Sequence, residues 1–109
     1  MSKTINHQAA DLLEAAGAVL WLPEWWTKET AASDKDRHFT HVFDPEACRF
    51  CASGALTAAG GATGVRSLAG VAMSDQVGMN YVDFNDRAKN SKQVAIAMFR
   101  AADKLREEA

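Results

Sequence analysis

Residues 90–107 read NSKQVAIAMFRAADKLRE, and this stretch decides the fold class. Its first four residues have the spacing of a capping box, in which side chains near the start of a helix bond its free backbone amides. Apolar residues then recur at intervals of three and four, the period of one helix face; they are Val94, Met98, Ala101 and Leu105. We therefore predict a helix over residues 91–107 with one buried stripe.

Three other stretches favour helices. Residues 4–16 repeat the apolar spacing before Gly17, a residue suited to a helix end. Asp44-Pro45-Glu46 is typical of a helix start, because aspartate accepts bonds from free amides and proline needs no bond there. That helix is expected to reach Ala59, and a shorter one is expected over residues 64–73.

Gly54 would lie inside the helix that starts near Asp44. A glycine in a helix interior costs about 1 kcal/mol relative to alanine. We therefore expect another backbone to pack against this point.

Short extended segments are expected between the helices, at residues 19–22, 39–43 and 81–84, and a surface loop is expected at residues 30–37. Pro23 forbids a helix through the apolar segment that surrounds it. The predicted fold class is mainly α (α+β), with three to four helices and two or three short strands in a single compact domain of residues 1–109.

Composition limits the classes of function. The 109 residues include 12 basic and 14 acidic ones, for a net charge of -2, and no run of Lys or Arg could follow a phosphate backbone. We expect no nucleic-acid partner. The longest uncharged stretch is too short and too glycine-rich to cross a membrane, and the first residues lack the apolar centre of a signal peptide. We therefore expect a cytoplasmic protein with reduced thiols and no membrane partner.

Two histidines and two cysteines raise the question of a metal. His38, His41, Cys48 and Cys51 have the ligand types and pair spacing of a structural zinc site. The competing interpretation is a helix with a small buried cysteine and surface histidines. A redox pair is a further alternative, but the βαβ pattern of thioredoxin-like folds is missing. We predict no cofactor and keep zinc as the alternative.

The same residues also suggest a cysteine-dependent enzyme. Cys51 would be the nucleophile, His41 or His38 the base, and Asp86 or Asn85 the group that orients the imidazole. Cys48 could replace Cys51 in that role. Against this, Asn-Asp pairs between two elements usually form turns by bonding nearby backbone.

The tryptophans are the best candidates for a binding surface. Trp21 is expected in the core, whereas adjacent Trp25 and Trp26 cannot easily both face inward, so at least one should be partly exposed. Trp25, Trp26, Asn85 and Asp86 are therefore the predicted ligand-binding residues. Arg49 and Arg66 are the cations best placed to meet an anionic ligand.

Several short motifs together resemble an uncharacterised family of small bacterial and phage proteins, domain of unknown function 6197. The motifs are WWTKETAASDKD, CRFCASGAL and FND, followed by a closing helix that begins at NSKQV. The resemblance covers residues 10–105, and it matches Trp26, Thr27, Ala31, Asp34, Cys51, Ala52, Gly54, Ala55, Leu56, Asn85 and Asp86. Glu29 replaces the glycine usual in the family. The resemblance implies that Cys51 is the characteristic thiol, and it brings no activity.

The predicted function is a non-enzymatic binding or interaction module. Its ligand would be a small polar or nucleotide-like molecule or a host protein, and phage members of the family imply an accessory role. A homodimer is expected from frequency alone. The alternatives are a Cys51 enzyme and a zinc-stabilised module.

Overall fold

The computed structural model describes residues 4–108 and confirms a mainly α fold with one small sheet. Five helices in this part of the chain pack around one hydrophobic core. The elements are α1 (Ile5–Leu20), β1 (Ala32–Ser33), β2 (Arg49–Phe50), α2 (Ala52–Ala58), α3 (Thr63–Val77), α4 (Tyr81–Arg87) and α5 (Ser91–Glu107), with a single 3-10 turn at Pro23–Trp25. None of the helices within residues 4–108 is both long and apolar enough to cross a membrane.

Helices α1 and α5 form an antiparallel pair that is the spine of the molecule. At one end, Lys92 Nζ donates a hydrogen bond to the backbone oxygen of Trp21 at 3.1 Å. Toward the other end, Arg106 bonds the carboxylates of Asp11 and Glu14 at 2.9 and 2.8 Å. Both helices bury alanines along the contact, and such small side chains let two helix backbones approach closely.

The prediction for the last helix is confirmed. Asn90 caps α5 by accepting a hydrogen bond from the Gln93 amide at 2.9 Å, and Gln93 Oε1 in turn accepts one from the Lys89 amide at 2.8 Å. The stripe from Val94 to Leu105 is buried, as its spacing indicates. Local capping and the helical period both indicate the same helix here, so the sequence alone is enough to predict α5.

Helix α1 is one turn longer than expected, so the predicted end at Ala16 and the extended segment at residues 19–22 are wrong. Gly17 lies inside the helix, where a Cβ atom would come within 2.7 Å of Phe99 Cε1. This glycine therefore makes room for the aromatic ring of α5 and does not end the helix. The chain leaves the helical path only near Pro23, as expected from its ring.

The expected helix start at Asp44 is also wrong. Asp44 Oδ1 does accept a hydrogen bond from the Glu46 amide at 2.8 Å, but the motif closes only a turn. The chain then extends into β2, which pairs antiparallel with β1, and α2 begins only at Ala52. Backbone amides of this segment donate hydrogen bonds to the chain at β1, so they are not available for the hydrogen bonds of a helix. The expected strand at residues 39–43 is a loop, with an isolated bridge between Ser33 and Phe39.

The segment expected as a strand at residues 81–84 is instead the helix α4. Asn80 caps it by accepting hydrogen bonds from the Val82 and Asp83 amides at 2.9 and 3.4 Å. The helix predicted over residues 64–73 runs further, through Val77, and ends at Gly78 with a left-handed φ of 73°. Alternation over four residues does not distinguish a strand from a short capped helix.

The expectation for Gly54 is confirmed. A Cβ atom on Gly54 would collide with the carbonyl oxygen of Ala31, just before β1. That oxygen also accepts a hydrogen bond from the Cys51 amide at 3.2 Å. Gly54 therefore lets the loop backbone lie directly against the first turn of α2.

We expect Gly54→Ala to lower the free energy of unfolding by about 2 kcal/mol, because a backbone atom blocks the added methyl group. Gly64→Ala is the matched control: Gly64 is also helical, but nothing lies within 4 Å of its added Cβ atom. This control should gain about 0.5 kcal/mol from helix propensity. Chemical denaturation measures both values, and equal effects would contradict the packing argument.

Candidate functional site

One buried side chain joins three separate segments of the chain. Asn85, in α4, is 0% exposed, and its amide oxygen accepts hydrogen bonds from Trp26 Nε1 at 2.8 Å and from the Ala52 amide at 3.0 Å. Its amide nitrogen donates to the Thr27 carbonyl oxygen at 3.1 Å. We call Trp26, Thr27, Ala52 and Asn85 the asparagine clasp.

The neighbouring residue extends the clasp along the loop. Asp86 Oδ1 accepts a hydrogen bond from the Glu29 amide at 2.8 Å. Glu29 has a φ of 67°, in the left-handed region where glycine is favoured. A glycine, which the family resemblance implies at this position, would adopt this φ without strain. The carboxylate of Asp86 helps to hold a conformation that a residue with a Cβ atom adopts at a cost of about 1 kcal/mol.

The three tryptophans differ in exposure. Trp26 is half-buried, whereas Trp25 is 41% exposed, which agrees with the expectation that one of the pair reaches solvent. Trp21 is also 41% exposed, so its predicted place in the core is wrong. Trp21 caps α1 and rests on Phe99 of α5 with a ring-centre distance of 6.3 Å.

Cys51 is a structural residue in this geometry. It is buried, and its Sγ atom accepts a hydrogen bond from the Gly54 amide at 3.4 Å, so the thiol caps α2. Burial raises the pKa of the Cys51 thiol, and hydrogen bonds from the Gly54 and Ser53 amides offset part of that rise. A protonated buried thiol is a weak nucleophile.

The candidate bases of the cysteine enzyme lie elsewhere. His38 and His41 are exposed on the loop between the two strands, and within residues 4–108 no histidine hydrogen-bonds to either thiol. Asp86 is close enough to Cys51 for its charge to raise the pKa of the thiol further. The structure therefore places Cys51 near Asp86, but neither His38 nor His41 is placed to act as the base.

The four predicted zinc ligands do not form one cluster either. In the described part of the chain, the sole group of three potential ligand atoms within 4.8 Å of each other comprises Asp34, Asp36 and His38. Asp34 already accepts hydrogen bonds from the His38 and Asp36 amides, which lower the pKa of its carboxyl group. The three residues are therefore the parts of a closed surface turn.

The redox alternative fails on distance. Cys48 and Cys51 flank β2, and three extended residues span roughly 10 Å between Cα atoms. A disulfide needs Cα atoms within about 7 Å of each other. The extended path through β2 therefore keeps the two thiols apart.

The motifs of the family resemblance meet at the clasp. Trp26 and Thr27 come from the first motif, Ala52 from the second and Asn85 from the third. Gly54 of the second motif fits against Ala31 of the first. Motifs that lie far apart in the chain therefore contact each other in the folded protein, at the clasp and at Gly54.

The family described as "Family of unknown function (DUF6197)" matches residues 4–105. The chain belongs to DUF6197. No curated protein and no solved structure gives a significant match.

The hydrogen bonds of the clasp fix backbone segments in place, and they leave few polar groups of the clasp open to solvent. The Asn85 amide uses its hydrogen bonds inside the protein, and the Trp26 ring nitrogen is paired to it. Ligand binding by Trp25, Trp26, Asn85 and Asp86 stays a prediction. Sequence reasoning missed the backbone groups at Thr27 and Ala52, because no residue type signals them.

We expect Asn85→Leu to lower the free energy of unfolding by about 3 kcal/mol, since it leaves two buried N–H groups and a carbonyl group without partners. The matched control is Asn80→Ala, which removes an exposed cap from the same helix and should cost about 1 kcal/mol. Urea unfolding gives both values. Equal costs would show that the clasp contributes no more than an ordinary cap.

Iodoacetamide at pH 8 should modify Cys48 first and Cys51 at least about a hundredfold more slowly than in the unfolded chain, because burial protects the thiol and raises its pKa. The folded state holds this proton more tightly, so its stabilising contribution is full below the ordinary thiol pKa. It is lost as pH rises through the folded value. Cys48→Ser and Cys51→Ser separate the two rates by mass spectrometry, and a fast Cys51 would contradict the structural role.

Proposed function

We propose that this protein is a non-enzymatic interaction module that binds an acidic, amphipathic segment of a partner protein. One observation carries the proposal: exposed apolar side chains at residues 19–25 lie beside Phe99 and the cation Lys92 of α5. We call residues 19–25 the aromatic segment. A host protein is the partner that the phage and bacterial resemblance favours.

The aromatic segment exposes much apolar surface. Large hydrophobic residues there keep between 37% and 46% of their surface in solvent; they are Val19, Trp21, Leu22 and Trp25. Scattered exposed hydrophobics are ordinary on a monomer, but a continuous patch is typical of an interaction site. Tryptophan in particular is enriched among the residues that dominate binding energy.

The apolar surface continues onto α5. The Trp21 ring contacts Phe99, and Lys92 Nζ lies 4.9 Å from the Trp21 ring centre. Lys92, Ile96 and Phe99 share one face of the helix, because they are four and three residues apart. Ile96 is exposed, and it lines a groove of about 380 Å³ whose apolar walls include Val77 and Phe84. A strip therefore runs from the aromatic segment to this groove.

Lys92 places a positive charge beside the strip, and Glu24 is the single acidic residue within the aromatic segment. Between residues 87 and 102 the chain has four basic residues and no acidic one, although its net charge is -2; the basic residues are Arg87, Lys89, Lys92 and Arg100. Lys92, in the first turn of α5, opposes the dipole of that helix, whereas Arg87 lies in the last turn of α4, where a base is favourable. Arg100 also lines the groove. This arrangement complements a partner with apolar and acidic side chains.

A second copy of the chain is a poorer occupant for this surface. A two-fold contact places the same patch on both subunits, so it would set these bases against each other. The homodimer expected from frequency would have to use another face. The groove favours a helix that lays one face into it over a flat membrane surface.

We expect a fluorescein-labelled amphipathic helix of leucine and glutamate to bind with an affinity that falls as salt is added. Lys92→Glu should weaken binding roughly tenfold, because it reverses a charge beside the strip. Trp25→Ala should weaken it by removing exposed aromatic surface. Fluorescence anisotropy measures these affinities.

The matched control is Lys104→Glu, which makes the same charge change on the same helix about 18 Å further along. It should leave the affinity nearly unchanged. Three outcomes would overturn the proposal: equal binding of a leucine and lysine helix, an equal effect of Lys104→Glu, or binding to anionic lipid vesicles without binding to the peptide.

A further inference from the structure

A polar cavity lies between α2, α3 and α4 and shares no residue with the clasp or the aromatic segment. Its volume is about 190 Å³. The polar residues that line it are Ser53, Thr57, Thr63, Arg66, Ser67 and Tyr81. These side chains provide one formal charge, which is positive.

Arg66 is fixed in place without neutralisation of its charge. It is half-buried, and it donates a hydrogen bond to the Gly61 carbonyl oxygen at 2.9 Å and a longer one to Thr63 Oγ1 at 3.5 Å. The ion pairs in residues 4–108 join other residues, so no described carboxylate lies within 4.0 Å of this guanidinium group. A guanidinium group has five N–H donors, and most of them stay available.

Hydroxyl groups around Arg66 are available as further donors. In the described chain, the side-chain oxygens of Ser53, Ser67 and Tyr81 have no hydrogen-bond partner, whereas Thr57 Oγ1 donates to the Ser53 carbonyl oxygen at 3.1 Å. The Tyr81 ring is held against Gly70, where a Cβ atom would come within 2.7 Å of the ring. The phenol group is therefore positioned by packing.

We infer that this cavity binds a small molecule through an oxyanion group, either a phosphate or a carboxylate. The planar Arg66 fork pairs with two oxygens of such a group, and the hydroxyls of Ser53, Ser67 and Tyr81 donate to it. An adjoining cavity of about 360 Å³ shares Arg66, Ser67 and Tyr81 and has room for the rest of the ligand. Asp75 also lines this second cavity, so the oxyanion group belongs on the Arg66 side and the uncharged part of the ligand on the Asp75 side. This site is independent of the proposed protein partner.

Titration with inorganic phosphate and, separately, with succinate at constant ionic strength tests the site by amide NMR shifts. Perturbations are expected at residues 53, 66, 67 and 81. Arg66→Gln should weaken binding at least about tenfold through loss of the charged fork. The matched control is Arg49→Gln, which removes another half-buried arginine that bonds a backbone carbonyl, at Asp34. This control should bind like the wild type.

Ser67→Glu provides a second variant if Arg66→Gln unfolds. Ser67 is exposed, so a carboxylate there should block the anion without disturbing the core. Binding of either anion that is weakened in every variant that stays folded supports the site and identifies the oxyanion it prefers. Shifts spread over all basic residues, equal loss in the Arg49 control, or no shift with either anion would overturn it.

Discussion

A buried carboxamide needs its hydrogen bonds satisfied inside the protein, and at Asn85 this requirement fixes three segments at once. Each of its partners, Trp26 Nε1, the Thr27 carbonyl and the Ala52 amide, would be unsatisfied without it. The loop that follows α1, the start of α2 and the end of α4 are therefore set relative to each other. The left-handed residue Glu29 and the close contact at Gly54 depend on that placement.

The sequence predicted the parts of the fold that local rules govern. The last helix followed from its cap and its buried stripe, and Gly54 indicated a close backbone contact. The prediction from sequence was wrong where partners distant in the chain override local preference. The segment after Asp44 forms a strand because it pairs with β1, and Gly17 stays inside α1, where it makes room for Phe99. Of the candidate site, Trp26 and Asn85 were named, but their contact spans 59 residues and could not be inferred from spacing.

Some residues of this chain stabilise its interior, and others form surfaces that are open to solvent. Trp26, Asn85, Cys51 and Gly54 serve the interior, because their polar atoms or their lack of a side chain meet an internal requirement. The surfaces that remain open have different chemistry. One is apolar and basic, along residues 19–25 and α5, and the other is polar around Arg66. The proposed protein partner and the proposed anion would therefore use separate surfaces of unlike chemistry.

The pairing of α1 with α5 has a consequence for synthesis on the ribosome. The contact between Trp21 and Lys92 joins residues 71 positions apart, so α1 must wait for α5 to emerge. At ordinary translation speeds, that wait is roughly 4 to 14 seconds. During this time the side of α1 that packs on α5 stays exposed, although α2 and α3 already contact the helix, and exposed apolar surface of this kind is what chaperones bind. Among the described elements, the spine of α1 and α5 is therefore the last to be completed.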